Sequence, residues 1–183
     1  MNLFTIRKAT LADMPELLVI YEAARVFMKE NGNESQWGLP SPGKECWPSQ
    51  ESIISRINNS FQYICETEID GKTAIAATFA FTNGIEESSY ASIFDGSWPD
   101  DGTEPYGVIH CFASAFGVKG AATYCINCAL KQCKYMKIDT HPNNKPMQAL
   151  LNKLGFTYCG KIIMPEVQND DTLRVAYYKR INH

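Results

Sequence analysis

The sequence lacks two features that would place the protein at a membrane or on a nucleic acid. It has no run of roughly 18 apolar residues, so no transmembrane helix is predicted. It has no block of about five basic residues, and the formal net charge is −3 at pH 7. Nucleic-acid binding depends on clustered positive charge facing the phosphates. We therefore expect neither a membrane nor a nucleic acid as a partner.

Signals for export and for metal binding are also missing. The N-terminal stretch MNLFTIRKAT is too short and too interrupted by polar residues for a secretory signal peptide. We therefore expect a cytoplasmic protein with reduced cysteines. Cys125 and Cys128 form a C-x-x-C, but no second ligand pair follows at the spacing of a zinc finger or ribbon. We predict that these thiols pack in the core and that the chain holds no metal.

The length and the periodicity of the chain predict one α/β domain over residues 1–183. Asp70-Gly71 between two alternating runs indicates a hairpin, and Thr10 with Asp13 suggests a capping box before a helix that ends at Asn31-Gly32. Predicted strands cover 3–7, 61–68, 72–82, 106–113, 135–139, 156–164 and 172–181. Further predicted helices run from Pro48-Ser49 to about Asn58, and over 119–134 and 144–154. The predicted order is β-α-α-β-β-β-α-β-α-β-β.

Two long irregular stretches, 33–48 and 83–105, interrupt this pattern. Loops of this length within a compact domain are often functional. The acidic pair Asp100-Asp101 would attract a protonated amine, or would form a solvated loop face. Aromatic rings in these loops would enclose a cation or an apolar substrate, or would cap the core. The stretches contain all the tryptophans of the chain, namely Trp37, Trp47 and Trp98.

The segment after the predicted strand 106–113 has the features of an anion-binding turn. It reads Gly117-Val-Lys-Gly120-Ala-Ala122 and opens a predicted helix. The first N–H groups of a helix have no intrahelical partners, and the helix dipole favours an anion there. Glycine allows the backbone to approach phosphates closely, and Lys119 adds a positive charge. A Gly-x-x-Gly before a helix is also common as a plain tight turn, and the mononucleotide and dinucleotide fingerprints are absent.

A second segment, IDTHPNNKPMQALLNKLGF over 138–156, combines with this turn in a more specific pattern. Together the two segments resemble the GCN5-related N-acetyltransferase superfamily. Gly120-Ala121-Ala122 fits the second half of the acetyl-CoA loop of that family, Arg/Gln-x-x-Gly-x-Gly/Ala. The next helix of the family reads Asn-x-x-Ala-x-x-Leu-Tyr-x-Lys-x-Gly-Phe. The residues that match it here are Asn144, Leu150, Lys153, Gly155 and Phe156.

The resemblance implies a mixed, mostly antiparallel sheet of about seven strands with about four flanking helices. It implies an enzyme that transfers an acetyl group from acetyl-CoA to an amine of a small molecule or peptide, by direct attack in a ternary complex. A homodimer is a common assembly of such enzymes. The backbone of β-strand residues Phe112, Ala113 and Ser114 would pair with the pantetheine arm of coenzyme A, and Asn144 would hydrogen-bond it. The pyrophosphate would lie on Gly117, Val118, Lys119, Gly120, Ala121 and Ala122.

Two positions depart from the family pattern. Gly117 occupies the Arg/Gln position, and Leu151 occupies the position where the family often has a tyrosine thought to protonate the leaving thiolate. These departures leave an alternative open, namely an acyl-CoA-binding protein of the same fold with little or no turnover, acting as a sensor or regulatory module.

Direct attack requires a neutral amine, so a general base is expected. Histidine suits this role because its ordinary pKa, about 6.5, lies close to neutral pH. The candidate catalytic residues are His110, His141 and Tyr158. Each also has an ordinary structural interpretation: a half-buried hydrogen-bonded histidine, a turn residue beside a proline, and a core tyrosine.

Overall fold

In the computed structural model, residues 3–38, 46–100, 102–115, 117–164 and 172–181 are described. Seven strands form in this part of the chain: β1 (Thr5–Lys8), β2 (Gln62–Ile69), β3 (Lys72–Asn83), β4 (Gly107–Ser114), β5 (Tyr135–Thr140), β6 (Thr157–Ile163) and β7 (Leu173–Arg180). The α-helices are α1 (Met14–Glu30), α2 (Gln50–Asn58), α3 (Ala121–Leu130) and α4 (Lys145–Lys153). The element order is the predicted one.

The strands form one mixed sheet in the order β1-β2-β3-β4-β5-β7-β6. Neighbouring strands are antiparallel except for β4 and β5, which are parallel. The predicted hairpin joins β2 to β3, and both turn residues, Asp70 and Gly71, have positive φ angles of 51° and 74°. This conformation matches the right-handed twist of the strands, and it explains why an Asp-Gly pair was a strong signal. The predicted fold class is confirmed.

The two faces of the sheet are covered by different helices. On one face, α3 and α4 enclose a core that includes Phe79, Ile126 and Leu151. On the other face, α1 and α2 pack over the first half of the sheet, with Leu17 and Ile53 fully buried. Burial of each such side chain contributes about 2 kcal/mol of hydrophobic stabilisation. No helix in the described ranges combines the length and the apolar character needed to cross a bilayer.

The start of α1 uses the predicted capping residues. The Thr10 backbone N–H donates to Asp13 Oδ2 at 2.7 Å, and the Thr10 hydroxyl donates to the same oxygen at 2.9 Å. The Arg7 guanidinium donates to both carboxylate oxygens of Asp13, at 2.9 and 2.8 Å. The carboxylate therefore joins the end of β1 to the turn that begins α1.

One predicted helix boundary is wrong by more than two residues. The helix predicted over 119–134 is α3, which begins at Ala121 because Gly120 has a left-handed conformation with φ 90°. It ends at Leu130, and residues 131–134 form a turn. In this turn Cys133 packs on β4 at Gly107, where an added Cβ would lie 2.7 Å from the Cys133 sulfur. This close contact reverses the chain toward β5 before the helix can continue.

The predicted loop 83–105 packs across the second half of the sheet, over β5, β6 and β7. The indole N–H of Trp98 donates to the carbonyl of Tyr90 at 2.9 Å. Asp100 forms an ion pair of 3.2 Å with Lys137, and its side chain is only 5% exposed. The expectation of a solvated acidic face is therefore wrong for Asp100, because Lys137 on β5 needs a counter-charge in the core. Asp101 lies outside the described residues.

Replacement of Asp13 tests the junction between β1 and α1. We expect Asp13→Asn to lower the free energy of unfolding by about 1 kcal/mol at pH 7, since a charged cap acceptor is lost. Hydrogen bonding from Arg7 holds the pKa of Asp13 well below its ordinary range. The stabilisation is therefore present above that ordinary range, and it is lost as the pH falls through the lower folded-state pKa.

Urea unfolding at pH 7 and at pH 2 measures this difference. Glu68→Gln is the control, because Glu68 is an exposed carboxylate on the neighbouring strand β2. An Asp13→Asn effect that stayed the same in strong acid would contradict the assignment to the charged pair.

Candidate active site

The parallel strands β4 and β5 pair over only two residues before they separate. Gly107 pairs with Met136 and Val108 with Lys137, whereas β4 continues to Ser114 and β5 to Thr140. Beyond Val108, β4 therefore pairs with β3 on one side and has no partner strand on the side of β5. The backbone groups along this edge are available to an extended ligand, as in peptide recognition by strand addition.

A cavity of about 950 Å³ occupies the gap between the separated strands. This volume lies in the range of roughly 300–1,000 Å³ that is usual for small-molecule sites. Walls are contributed by α1, α2, β4, the turn before α3, the end of β5 and the start of α4. Residues of the predicted cofactor site that line it are Phe112, Ala113, Ser114, Gly117, Val118, Lys119, Ala122 and Asn144.

A β-bulge in the middle of β4 sets which side chains face the cavity. Ala80 of β3 pairs with His110, and Thr78 pairs with Ala113, so β4 contains one extra residue opposite Phe79. Cys111 in the bulge has a positive φ of 50°. Without the extra residue, consecutive side chains would point to opposite faces. With it, His110 and Cys111 both lie on the face covered by α1, α2 and the loop 83–105.

The bulge is held by a buried chain of hydrogen bonds. The Tyr21 hydroxyl on α1 donates to the carbonyl of Cys111 at 3.0 Å. The Gln62 amide donates to the Tyr21 oxygen at 3.0 Å and to the Thr78 hydroxyl at 2.7 Å. Burial raises the pKa of Tyr21 far above its ordinary value, so the phenol stays protonated and keeps donating. The helix α1 therefore fixes the position of the strand that carries His110.

His110 is half-buried and lies between two carboxylates. Its Nε2 is 3.0 Å from Glu87 Oε2, and its Nδ1 is 3.9 Å from Asp139 Oδ1. Asp139 also accepts a hydrogen bond of 2.7 Å from the Tyr90 hydroxyl, and its other oxygen lies 3.7 Å from Arg174 Nε. The imidazole is therefore oriented from both sides.

The contact with Glu87 determines the tautomer of His110. The hydrogen bond from His110 lowers the pKa of Glu87, so at neutral pH this carboxylate is ionised and can only accept. The proton of a neutral His110 consequently lies on Nε2, and the lone pair lies on Nδ1. In the neutral form of His110, Nδ1 would therefore be the atom available to accept a proton.

The turn before α3 contributes Gly117, Val118, Lys119 and Ala122 to the cavity lining, whereas Gly120 and Ala121 are not among the lining residues. Gly117 and Gly120 have positive φ angles of 82° and 90°, conformations that favour glycine. The N-cap residue of α3 is Gly120, which has no side chain to cap the helix, and the N–H groups of the first turn, on residues 121–123, have no intrahelical partner. A Cβ at Gly117 would meet nothing within 4 Å. Glycine is therefore needed there for backbone geometry rather than for space.

Asn144 combines a structural contact with a position in the cavity wall. Its Oδ1 accepts from the backbone N–H of Met147 at 3.2 Å, which caps α4. Its amide nitrogen donates to Gln36 Oε1 at 2.9 Å. An amide has two N–H donors, so one remains for a ligand.

The other two predicted catalytic residues are not among the described residues that line the cavity. His141 is buried, at 3% exposure. Its Nδ1 accepts from the backbone N–H of Asn143 at 3.1 Å, as expected for a turn histidine. Tyr158 is 47% exposed on β6, and its ring contacts that of Tyr177 at a centroid distance of 5.8 Å.

The three tryptophans divide between the cavity and the core. Trp37 and Trp47 line the cavity. Trp98 covers Lys137, whose ammonium lies 4.5 Å from the ring centroid. Trp98 and the buried Trp37 therefore cap the core, and contact of Trp37 or Trp47 with a substrate stays a prediction.

Four charged residues of the cavity were not identified from the sequence, namely Glu87, Asp139, Arg56 and Arg174. Asp139 is the penultimate residue of β5, and the carboxyl ends of parallel strands are a common place for ligand-binding groups. The sequence therefore contained a signal that could have identified Asp139. Glu87 lies in an irregular loop and Arg56 within an amphipathic helix, where a charged residue is ordinarily solvated. Only the tertiary contacts assign them to the cavity.

Comparisons with known proteins agree with this geometry. Neither protein-family models nor curated protein sequences match the chain. A GNAT-family acetyltransferase from Streptococcus agalactiae has a TM-score of 0.80 at 27% identity, covering 98% of this chain and 96% of its own. The protein yncA of Salmonella typhimurium, solved with its cofactor acetyl-CoA, has a TM-score of 0.57 at 13% identity, covering 98% and 94%. The NatC complex, bound to Gag peptide and CoA, has a TM-score of 0.60 at 12% identity, covering 98% and 99%.

The Glu87–His110 pair can be tested through the pH dependence of stability. We expect Glu87→Gln to lower the free energy of unfolding at pH 7 by about 1 kcal/mol, because a hydrogen bond to a charged group is weakened. The folded-state pKa of Glu87 is lowered. The stabilisation is therefore complete above the ordinary glutamate range and disappears as the pH falls through the lowered value.

Chemical denaturation at pH 7, 5 and 3 measures this change. Glu86→Gln is the matched control, since Glu86 is exposed one position earlier in the same loop. Equal effects of the two substitutions at every pH would show that the pair with His110 is not the cause.

Proposed function

The chain belongs to the GCN5-related N-acetyltransferase superfamily, and on that basis we propose that it transfers an acetyl group from acetyl-CoA to an amine of a small molecule or peptide. A single observation carries the proposal. One cavity is lined by the free edge of β4, by the start of α3 and by His110.

The residues of the cavity fit coenzyme A. Residues 112–114 have no partner on the β5 side, so their backbone would pair with the amide groups of the pantetheine arm. The N–H groups at the start of α3, together with Lys119, would bind the pyrophosphate. Gly117 removes a side-chain donor that the family often has, and the backbone donors compensate for it. The structures of yncA with acetyl-CoA and of NatC with CoA support this assignment.

His110 would act as the general base. Acetyl-CoA supplies an electrophilic thioester carbon, and attack on it needs an amine that has lost a proton. His110 Nδ1 would take that proton. Glu87 Oε2, which lies 3.0 Å from His110 Nε2, would accept the hydrogen bond from Nε2 and keep the imidazole oriented. The new bond joins the amine nitrogen to the acyl carbon, and the bond that breaks joins that carbon to sulfur.

Leu151 bears on the choice between an enzyme and a sensor. It occupies the position of the expected tyrosine and is fully buried in the core, so no proton donor stands there. A thiol, however, has an ordinary pKa of about 8.5, which makes a thiolate a good leaving group without prior protonation. Turnover is therefore the favoured function. A coenzyme-A-binding protein without turnover is the alternative, because Leu151 and Gly117 both depart from the family pattern.

The binding part of the proposal is tested by a charge at the start of α3. We expect Ala122→Glu to weaken coenzyme A binding at least roughly tenfold. A helix N-terminus stabilises a bound anion by about 1–2 kcal/mol, and the glutamate carboxylate would repel the pyrophosphate and cancel this stabilisation. The substitution should leave the fold intact, since glutamate is favourable in a first helical turn.

Isothermal titration calorimetry measures the affinity of each variant. Asn127→Glu places the same charge on the exposed side of the same helix, and Ala122→Gln adds the bulk without the charge. Unchanged affinity in Ala122→Glu would rule out the pyrophosphate site.

The catalytic part is tested by His110→Gln. We expect kcat to fall by roughly 10²- to 10⁴-fold, the usual contribution of general base catalysis, with coenzyme A affinity within about threefold of wild type. Thiol release from acetyl-CoA over an amine panel provides the measurement.

His141→Gln is the control, because His141 is buried outside the cavity. Full activity of His110→Gln would contradict the assignment of the base. Tight coenzyme A binding without thiol release from any amine would favour the sensor.

A further inference from the structure

The cavity has opposite charges on its two sides at the β4 bulge. His110 faces Glu87 of the loop 83–105 and Asp139 of β5, and Asp139 also lies 3.7 Å from Arg174. Cys111, the next residue, faces α2 on the other side. Burial raises the pKa of the Cys111 thiol, and the neighbouring Arg56 charge partly opposes that effect. The bulge therefore lies between an acidic side and a basic residue.

The position of Arg56 is constrained by its neighbours. Its guanidinium carbon lies 5.3 Å from the ring centroid of Trp47, and its Nη2 donates to the Ser52 hydroxyl at 3.2 Å. Its Nη1 is buried and has no hydrogen-bond partner. The guanidinium is thus held in the cavity wall with unused donor capacity.

Arg56 has no counter-ion among the described residues. Three of the other four arginines face a carboxylate, since Arg7 pairs with Asp13, Arg174 with Asp139 and Arg180 with Glu104. Arg25 has no such pair among the described residues, but it does not line the cavity. A partly buried guanidinium that lacks a counter-charge is unfavourable on its own. A ligand that brings a negative charge would remove that cost.

Within the described residues, the remainder of this wall is uncharged. The described residues that α1, α2 and their connection contribute to the cavity, apart from Arg56, are Ala23, Ala24, Phe27, Met28, Gln36, Trp37, Trp47, Ser52 and Ser55. One guanidinium fork matches the two oxygens of a carboxylate. A phosphate dianion would ordinarily be met by more than one cation or by several backbone donors, and the lining residues described on this wall include one cation, Arg56.

From these contacts we infer that the acceptor carries a carboxylate in addition to its amine, and that Arg56 binds this carboxylate. The inference rests on the proposed function. The acidic side attracts the ammonium form of the acceptor toward His110, while Arg56 holds the other end. The opposite charges on the two sides orient the substrate, and the apolar wall accommodates a hydrocarbon body between them.

The first experiment compares matched amines on the wild-type protein. Leucine is paired with 3-methylbutylamine and phenylalanine with 2-phenylethylamine. Amino acids from β-alanine to 6-aminohexanoate, each paired with the amine that lacks the carboxylate, cover longer separations of the two groups. We expect kcat/KM to be roughly 10- to 100-fold higher for the carboxylated member of at least one pair, as for a charge-assisted hydrogen bond.

The second experiment measures the same pairs on Arg56→Met. We expect kcat/KM for the preferred carboxylated amine to fall by roughly 10- to 100-fold, while its partner without the carboxylate stays within about threefold. Arg56→Lys should keep part of the preference, since it retains the charge but not the fork. Arg180→Met removes an arginine outside the cavity and should change neither series. Thermal unfolding and coenzyme A affinity verify that each variant is folded.

The possible failures are distinguishable. Amines without a carboxylate that react as well as their partners on the wild-type protein would overturn the inference and leave the transferase function intact. Equal losses of kcat/KM for both series in Arg56→Met would also overturn the inference. So would a higher kcat/KM for phosphoethanolamine than for every carboxylated amine. If no amine releases thiol, the proposed function fails and this inference fails with it.

Discussion

The separation of β4 from β5 is the constraint on which the rest of the site depends. Two parallel pairs join the strands, and beyond them the backbone of β4 has a free edge inside the fold. An unpaired strand edge in a protein interior is unfavourable unless a ligand or solvent satisfies it. The core on both faces holds the strands apart, because α3 and α4 fill one side of the sheet, and α1, α2 and the loop 83–105 fill the other.

The electrostatics of the site follow from how those layers meet at the bulge. The loop 83–105 brings Glu87 to His110, and α2 brings Arg56 to Cys111, although His110 and Cys111 are adjacent in the chain. In a partly desolvated cavity such charges act more strongly than they would in water. Preorganised groups of this kind can orient a charged substrate without rearrangement of the protein during the reaction.

Much of the fold could be predicted from the sequence because local interactions encode it. Asp70-Gly71 and the Thr10–Asp13 cap act within a few residues, and both form as predicted. Predictions failed where a distant contact overrides the local pattern. The helix α3 ends early because Cys133 packs on Gly107, and Asp100 is buried because Lys137 lies beneath it. The position of the glycine turn before α3 was predictable from Gly117 and Gly120, since their backbone geometry is a local property.

The sequence by itself therefore determined the elements, their order and the turn before α3, because periodicity, caps and glycine conformations act over short distances along the chain. Only the tertiary structure decided which of the predicted catalytic residues meets the cavity, and which charged side chains surround it. Glu87 and His110 are 23 residues apart in the chain, and Arg56 is farther still. Their proximity arises from packing across the sheet, which no short segment of the sequence encodes.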